Sequence, residues 1–124
     1  MKTISTKNAA AAIGPYSQAV ENGGLIFCSG QIALTPAGDF RDGGIEKETR
    51  QVLRNLREVL RAVNSDFSKV VKTTIFLAEM DDFTAVNEIY SEFFGKSKPA
   101  RSTIAVAKLP KNARIEIEAI AIAN

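Results

Sequence analysis

The 124-residue chain contains no histidine and only one cysteine, Cys28. The lack of histidine excludes Ser-His-Asp and Cys-His catalysis and the HExxH type of zinc site. A single cysteine excludes an internal disulfide and any zinc site that needs several thiolates, and no cluster of metal ligands is found. The chemistry that remains is that of arginine, carboxylates and hydroxyls, so we expect a site without a metal.

Long apolar runs are also missing, and the N-terminus lacks the pattern of a signal peptide. Together with a free thiol, this predicts a cytoplasmic protein with no membrane partner. The formal net charge is only +2 and the basic residues are spread along the chain, so charge argues neither for nor against a nucleic-acid partner. Without a basic patch that contains aromatics, we do not expect such a partner. The length predicts one domain over residues 1–124.

Two segments have the apolar spacing of amphipathic helices, from Glu46 to about Asn64 and from Asp82 to about Phe94. Asp81 or Asp82 is expected to cap the second helix, and Gly95 is expected at its C′ position.

Short apolar or β-branched runs predict strands around the helices. The predicted strands are Lys2 to Ser5, Gln18 to Glu21, Leu25 to Ser29, Val70 to Leu77, Thr103 to Val106 and Ile115 to Ile122. Residues 35–44 contain proline, aspartate and three glycines, which indicates an exposed loop. The order predicts an α+β fold, a single sheet with both helices on one face. From the residues alone, we expect the last two strands to pair as a hairpin.

The side chains of the last predicted strand alternate between the two faces of the sheet, and both faces carry apolar residues. One face carries Ile115, Ile117 and alanines, whereas Glu116, Glu118 and two isoleucines share the other. Neither face is wholly polar, so the face without helices needs a second cover, and self-association is the simplest.

Arg101, between Pro99-Ala100 and an apolar run, is the first candidate for chemistry. A guanidinium binds a carboxylate through two parallel hydrogen bonds, although from this segment alone a surface arginine in an ion pair is the favoured interpretation. Glu116 and Glu118 stand among isoleucines, where loss of solvation raises the pKa of a carboxyl and suits it to proton exchange. The alternative is a structural ion pair with Arg114 or a lysine.

Two further segments could line a site. Tyr16 and Ser17 follow the rigid turn Gly14-Pro15, which presents a phenol and a hydroxyl, or merely a packed tyrosine. The sequence Ser29-Gly30-Gln31 ends an apolar strand, and its glycine either lets backbone approach a ligand or marks a bulge. Cys28 has no positive neighbour in sequence and is predicted to be a core residue rather than a reactive thiolate.

Taken in order, these segments resemble the Rid (reactive intermediate deaminase, YjgF-like) family nearly from end to end. The matching segments are Ile13-Gly14-Pro15-Tyr16-Ser17-Gln18-Ala19, Ser29-Gly30-Gln31-Ile32, Val71-Lys72-Thr73-Thr74-Ile75-Phe76, Asn87-Glu88-Ile89-Tyr90, Pro99-Ala100-Arg101-Ser102, Lys108-Leu109-Pro110 and residues 115–121.

The resemblance implies a chorismate-mutase-like fold that assembles as a homotrimer, with the sheets inside and the helices outside. It also implies that the last strand lies centrally, between the Leu25 strand and the Val70 strand, instead of in a hairpin.

The activity implied by the resemblance is hydrolysis of enamines and imines, such as 2-aminoacrylate, 2-iminopropanoate and 2-iminobutanoate, to 2-keto acids and ammonia. Pyridoxal-phosphate-dependent dehydratases release such intermediates, and the family's own members hold no cofactor. By residue match, Arg101 would bind the substrate carboxylate and Glu116 would position or activate water, in a cleft between subunits.

The same match assigns Tyr16, Ser29 and Gly30 to the lining of that pocket. Many members have cysteine two residues after the arginine, where this chain has Thr103. Thiol chemistry is therefore excluded at that position, and only a role for the backbone carbonyl of Thr103 survives.

Two other functions stay open at this stage. One is a regulatory module that senses keto acids or contacts partner proteins through the same cleft. The other is an endoribonuclease or translation inhibitor, which the sequence disfavours because it offers no histidine for acid–base cleavage of RNA and no basic patch with interleaved aromatics.

Overall fold

The computed structural model describes residues 1–124. The six strands are β1 (Lys2–Ile4), β2 (Ala19–Asn22), β3 (Leu25–Gln31), β4 (Val70–Leu77), β5 (Ala100–Ala105) and β6 (Ile115–Ile122). The two helices are α1 (Ile45–Arg61) and α2 (Phe83–Phe94). Short 3-10 turns cover Phe67–Lys69, Met80–Asp82 and Pro110–Asn112. The predicted α+β class, the two helices, the six strands and the 35–44 loop are confirmed, except that the strand predicted from Thr103 begins three residues earlier, at Ala100, and so contains Arg101.

The strands form one sheet in the order β1-β2-β3-β6-β4-β5. The hairpin expected for the last two strands from local sequence is wrong, because β5 pairs in parallel with β4 at the edge while β6 inserts between β3 and β4. The central position implied by the family resemblance is confirmed. β6 is a good central strand because alternate residues along it are buried or nearly so and both its edges find partners.

Both helices cover the same face of the sheet. α1 lies against β3 and β6, and α2 packs beside α1. The apolar stripe of α1 is completely buried with Ile115 and Ile117 of β6, so the face predicted to carry these isoleucines is the one that the helices cover. Burial of each such large aliphatic side chain stabilises the fold by about 1.5–3 kcal/mol.

The ends of α2 differ from the prediction. Asp82 precedes the helix, but it already has helical φ and ψ at the end of a 3-10 turn, and no side chain makes a capping hydrogen bond. Gly95 closes the helix with helical angles and donates its N–H to the Ser91 carbonyl. The left-handed residue expected at Gly95 is instead Lys98, with φ of 47°.

The face of the sheet opposite the helices is open and partly apolar. It exposes Phe27 (40%), Ile104 (46%) and Ile122 (48%). No helix in the structure has the length and apolar character needed to cross a membrane.

Candidate active site

A β-bulge in β3 creates the first half of the candidate site. Between Cys28 and Gln31 the β3 strand advances three residues while its partner β6 advances only two, from Ala119 to Ile117. Bulges of this kind re-aim side chains and often occur beside active sites. The extra residue lies at Ser29-Gly30, so the bulge predicted as one alternative for this segment is confirmed.

Gly30 is needed because the Glu116 side chain lies directly over it. A Cβ added at Gly30 would approach Glu116 Cδ to 2.8 Å and Cγ to 3.0 Å, closer than carbon atoms can pack. The φ of Gly30 is not in the left-handed region, so the requirement is space rather than backbone conformation. The missing side chain of Gly30 is therefore what lets the carboxylate of Glu116 rest against β3.

The pKa of the Glu116 carboxyl is raised, first by burial and then by repulsion from Glu118 on the same face of β6. Glu116 is half-buried, whereas Glu118 is exposed. A carboxylate whose pKa is raised is a stronger base than an ordinary glutamate, and a larger fraction of it holds a proton that it can donate near neutral pH. The predicted environment of Glu116 is confirmed, and the two glutamates differ in burial as well as in position.

Tyr16 and Ser29, which the family resemblance assigns to the pocket lining, lie at the same groove of the single chain as Glu116. The Ser29 hydroxyl donates to the Ser17 carbonyl at 2.6 Å, so its proton is committed and only its lone pairs can meet a ligand. The Tyr16 hydroxyl accepts a long hydrogen bond from the Ile13 N–H at 3.4 Å and keeps its own proton free to donate. The Ser29 hydroxyl can therefore accept a hydrogen bond from a ligand, and the Tyr16 hydroxyl can donate one.

The groove around these residues has a volume of about 700 Å³. Its walls include residues that sequence reasoning missed: Ile32 and Leu34 after β3, and Pro110 and Lys111 before β6. Lys111 and Asn112 both have left-handed backbone, with φ of 57° and 54°. The segment Leu109-Pro110 was the available indication, since a proline a few residues before a predicted strand marks a turn.

Arg101 lies elsewhere, on the edge strand β5 against helix α2. One guanidinium nitrogen donates to Asn87 Oδ1 at 2.7 Å. The guanidinium carbon lies 4.9 Å from the centre of the Tyr90 ring and 5.5 Å from that of Phe83, within the range of cation–π attraction. Burial raises the pKa of Tyr90, whose hydroxyl shares a 2.7 Å hydrogen bond with Thr73 Oγ1.

The Arg101 side chain is thus held by three groups of α2 while its remaining N–H donors are free. It opens on a second groove of about 360 Å³, which also contains Lys98. The alternative interpretation of Arg101 as a surface ion pair is not supported, because Arg101 has no carboxylate partner within the chain. Asn87 and Tyr90 belong to a segment matched to the family, and their spacing of three on one helix was the signal for a shared role.

Thr103 follows Arg101 by two residues and so lies on the same face of β5. Thr103 as a whole is half-buried, and its Oγ1 atom is buried without a hydrogen-bond partner. The hydroxyl therefore has no role that the single chain explains.

Within one chain, Arg101 and Glu116 lie on opposite faces of the sheet. Arg101 pairs with Thr73, which pairs with Ala119 of β6, and side chains of laterally paired residues share a face. Ala119 is buried beneath the helices, whereas Glu116, an odd number of residues away, points to the open face. The structure therefore brings Tyr16, Ser29, Gly30 and Glu116 together and leaves Arg101 and Thr103 apart from them.

Cys28 confirms its prediction as a core residue. It is buried, and burial raises the pKa of its thiol to about 12, which keeps it protonated and unreactive.

The comparisons with known proteins begin at the level of the family. The family model described as Endoribonuclease L-PSP matches residues 6–123 of the chain. The chain belongs to this family. The resemblance to Rid proteins is confirmed by the relatives that follow, and so is the fold.

Three relatives are informative. The mouse 2-iminobutanoate/2-iminopropanoate deaminase is 53% identical over 98% of this chain and 90% of its own length. A Lactococcus lactis protein named as the regulator AldR is 51% identical over 98% of this chain and 97% of its own. The crystal structure of Escherichia coli TdcF with bound serine is 37% identical, has a TM-score of 0.94 and covers all of both chains.

Proposed function

We propose that the protein is a hydrolase that converts 2-iminopropanoate, 2-iminobutanoate and their enamine tautomers to 2-keto acids and ammonia. The single observation that carries the proposal is the half-buried Glu116 carboxylate with a raised pKa, seated over Gly30 beside two hydroxyls of opposite polarity. The 53% identity to the mouse deaminase supports the substrate class. The serine bound to TdcF supports a small ligand that carries a carboxylate.

In the reaction, Arg101 binds the substrate carboxylate through the donors that Asn87 leaves free. Water then adds to the electrophilic carbon of the protonated C=N group while Glu116 accepts one of the water protons, which forms a neutral carbinolamine. The same carboxyl returns that proton to nitrogen, and the C–N bond breaks. Ammonia leaves as the hydroxyl group passes its proton to the Glu116 carboxylate and becomes the keto group. An imine is already electrophilic, so orientation and proton transfer suffice and no cofactor is required.

The remaining groups have subsidiary roles in this proposal. Tyr16 donates to the bound substrate, Ser29 accepts from its nitrogen, and Gly30 provides the space that Glu116 needs. Thr103 contributes its backbone carbonyl at the Arg101 end of the site.

A second copy of the chain is part of the proposal. Because Arg101 and Glu116 lie on opposite faces of one sheet, they can meet only if one subunit supplies the arginine and its neighbour supplies the glutamate. A homotrimer with its sheets inside would also cover Phe27, Ile104 and Ile122. The single domain over residues 1–124 and the cytoplasmic location stay predictions.

The test couples a serine or threonine dehydratase to keto-acid detection, with semicarbazide present to trap free imine. The wild-type protein is expected to speed keto-acid release, and Arg101→Ala to remove that gain. Arg54→Ala is the matched control, because Arg54 is an exposed arginine of α1 outside both grooves. A folded, trimeric wild type that gives no acceleration contradicts the proposal.

The name of the AldR relative favours a second candidate, a regulator that binds keto acids without turning over imines. Under that function the wild type would bind a 2-keto acid in an Arg101-dependent manner and would leave the coupled assay unchanged. The family description also names an endoribonuclease, and incubation with single-stranded RNA in the same preparation tests it directly.

A further inference from the structure

Helix α1 carries a row of buried polar side chains on its inner face. Glu48 and Asn55 are each 1% exposed and Gln51 is 5% exposed, at spacings of three and four residues. Buried polar groups destabilise a fold unless they are hydrogen-bonded, so their partners indicate what they are for.

Asn55 holds the wall of the Glu116 groove that Ile32 and Leu34 form after β3. Its side-chain amide donates to the carbonyl of Leu34 at 2.8 Å and to that of Ile32 at 3.3 Å. Gln51 donates to Asn55 Oδ1 at 3.0 Å, which turns both N–H donors of Asn55 towards the loop. Ile32 and Leu34 line the groove that contains Glu116.

Glu48 holds the opposite wall of the groove, which Pro110 and Lys111 form before β6. Its Oε1 accepts from the backbone N–H of Arg114 at 2.9 Å, and its Oε2 lies 3.3 Å from the Arg114 Nε. Arg114 lies between the left-handed Pro110–Asn112 turn and β6, two positions before Glu116. Left-handed backbone at residues other than glycine costs about 1–3 kcal/mol and persists only where neighbouring groups hold it.

From these contacts we propose that Glu48 and Asn55 are positioning residues for the imine hydrolysis. From the helix side of the sheet, through backbone groups and the Arg114 side chain, they set the separation of the two groove walls and the place of the Glu116 carboxylate between them. The proposal rests on the proposed function for its chemical readout, and on the hydrogen bonds of the row for its geometry.

Stability alone does not account for the row. Replacing a buried polar pair by apolar residues of similar volume is often neutral or even stabilising. The long-range hydrogen bonds of the row end on Ile32 and Leu34, which line the groove, and on Arg114, which connects the lining residues Pro110 and Lys111 to Glu116 along the chain. Displacement of a catalytic group by about 1 Å costs about 100-fold in rate, so walls fixed by hydrogen bonds have a direct catalytic consequence.

The experiment compares Asn55→Asp, Glu48→Leu and the conservative Glu48→Gln with Leu60→Val, a buried change near the far end of α1. Each protein is assayed well below its own Tm, with 2-iminobutanoate supplied at graded rates by threonine dehydratase. We expect kcat to fall about 10-fold or more in Asn55→Asp and Glu48→Leu, with KM changed less than about 3-fold. Glu48→Gln, which keeps the acceptor for the Arg114 N–H, and Leu60→Val are expected to retain kcat within about 3-fold.

A second readout does not depend on activity. The titration of the Glu116 side-chain carboxyl, followed by ¹³C NMR, is expected to move towards that of an ordinary glutamate in Asn55→Asp and Glu48→Leu only. Should Asn55→Asp not fold, Gln51→Leu replaces it, because this change frees the Asn55 amide to turn away from the loop.

The outcomes separate the two proposals. An inactive wild type defeats the proposed function, while the titration still decides the role of the row. Folded Asn55→Asp and Glu48→Leu proteins with both kcat and the Glu116 titration unchanged overturn the positioning role. A fall in kcat that Leu60→Val matches at equal loss of Tm overturns it as well.

Discussion

The two halves of the candidate site hold their charged groups by opposite means. Glu116 is half-buried, has no hydrogen bond to another side chain, and lies beside a second carboxylate, so its charge is poorly stabilised. Arg101 is exposed and rests on two aromatic rings with one hydrogen bond to Asn87, so its charge is fully compatible with its surroundings.

This difference fits two different tasks. A group that must gain and lose a proton benefits from a charge that its environment disfavours. A group that must bind an anion benefits from a permanent charge whose orientation is already fixed before the ligand arrives. The protein separates the two environments on opposite faces of one sheet, and assembly would bring them together.

The largest expected effect comes from Arg101→Ala. Each hydrogen bond between charged groups contributes about 1.5–3 kcal/mol, so loss of the bidentate contact with the substrate carboxylate should lower kcat/KM by about 100-fold or more. Arg101→Lys keeps the charge without the planar fork and should recover only part of the loss. Steady-state rates of keto-acid release measure both, and an Arg101→Ala rate equal to wild type contradicts the assignment.

Glu116→Gln is expected to lower kcat by about 100-fold, the usual contribution of a general acid–base group. In the wild type, the activity should fall at acid pH as Glu116 is protonated, with a midpoint above the ordinary range for glutamate because its pKa is raised. The pH–rate profile measures this midpoint. If the activity of Glu116→Gln falls at acid pH with the same midpoint, the titrating group is another residue.

Gly30→Ala should lower kcat by about 10-fold with little change in Tm, because the new methyl group displaces a side-chain end rather than backbone. In a Glu116→Gln background the same change should cost much less, since the displaced group no longer acts as a base. Comparison of the single and double variants measures this coupling, and fully additive losses argue against a role through Glu116.

The smallest effect concerns stability. Since the pKa of Glu116 is raised in the folded protein, its contribution to stability is full below the unfolded pKa and is lost as pH rises through the folded pKa. Glu116→Gln should therefore raise the Tm by about 1–3 °C at pH 7, a difference that vanishes near pH 4. Thermal denaturation at both values tests it, with the exposed Glu118→Gln as the control expected to change less.

Local sequence predicted the elements well, and for physical reasons. The alternation of β6 depends on nearest neighbours along the chain, so Ile115 and Glu116 could be assigned to opposite faces from the sequence alone. The pairing partner of β6 depends on where a distant strand lies. Local reasoning therefore chose the wrong neighbour, and only the resemblance of the whole chain to a known family corrected it.

The candidate site likewise has features that local sequence predicts and features that it does not. The raised pKa of Glu116 follows from its apolar neighbours in sequence, and Gly30 beside a strand end already indicated a bulge. The stacking of Arg101 on α2 and the contacts of Asn55 and Glu48 with the groove walls join residues far apart in sequence. No periodicity encodes such contacts, because they arise only when α1 and α2 pack on the sheet.

The most direct test of a site divided between subunits is to mix two inactive proteins. Arg101→Ala and Glu116→Gln chains, unfolded together in equal amounts and refolded, should form mixed trimers in which about a quarter of the sites combine an intact arginine with an intact glutamate. A site divided between subunits predicts that the mixture regains about a quarter of the wild-type rate in the dehydratase-coupled assay, whereas each variant refolded alone stays inactive. A mixture that exchanges subunits and yet shows no more activity than its two parents contradicts it.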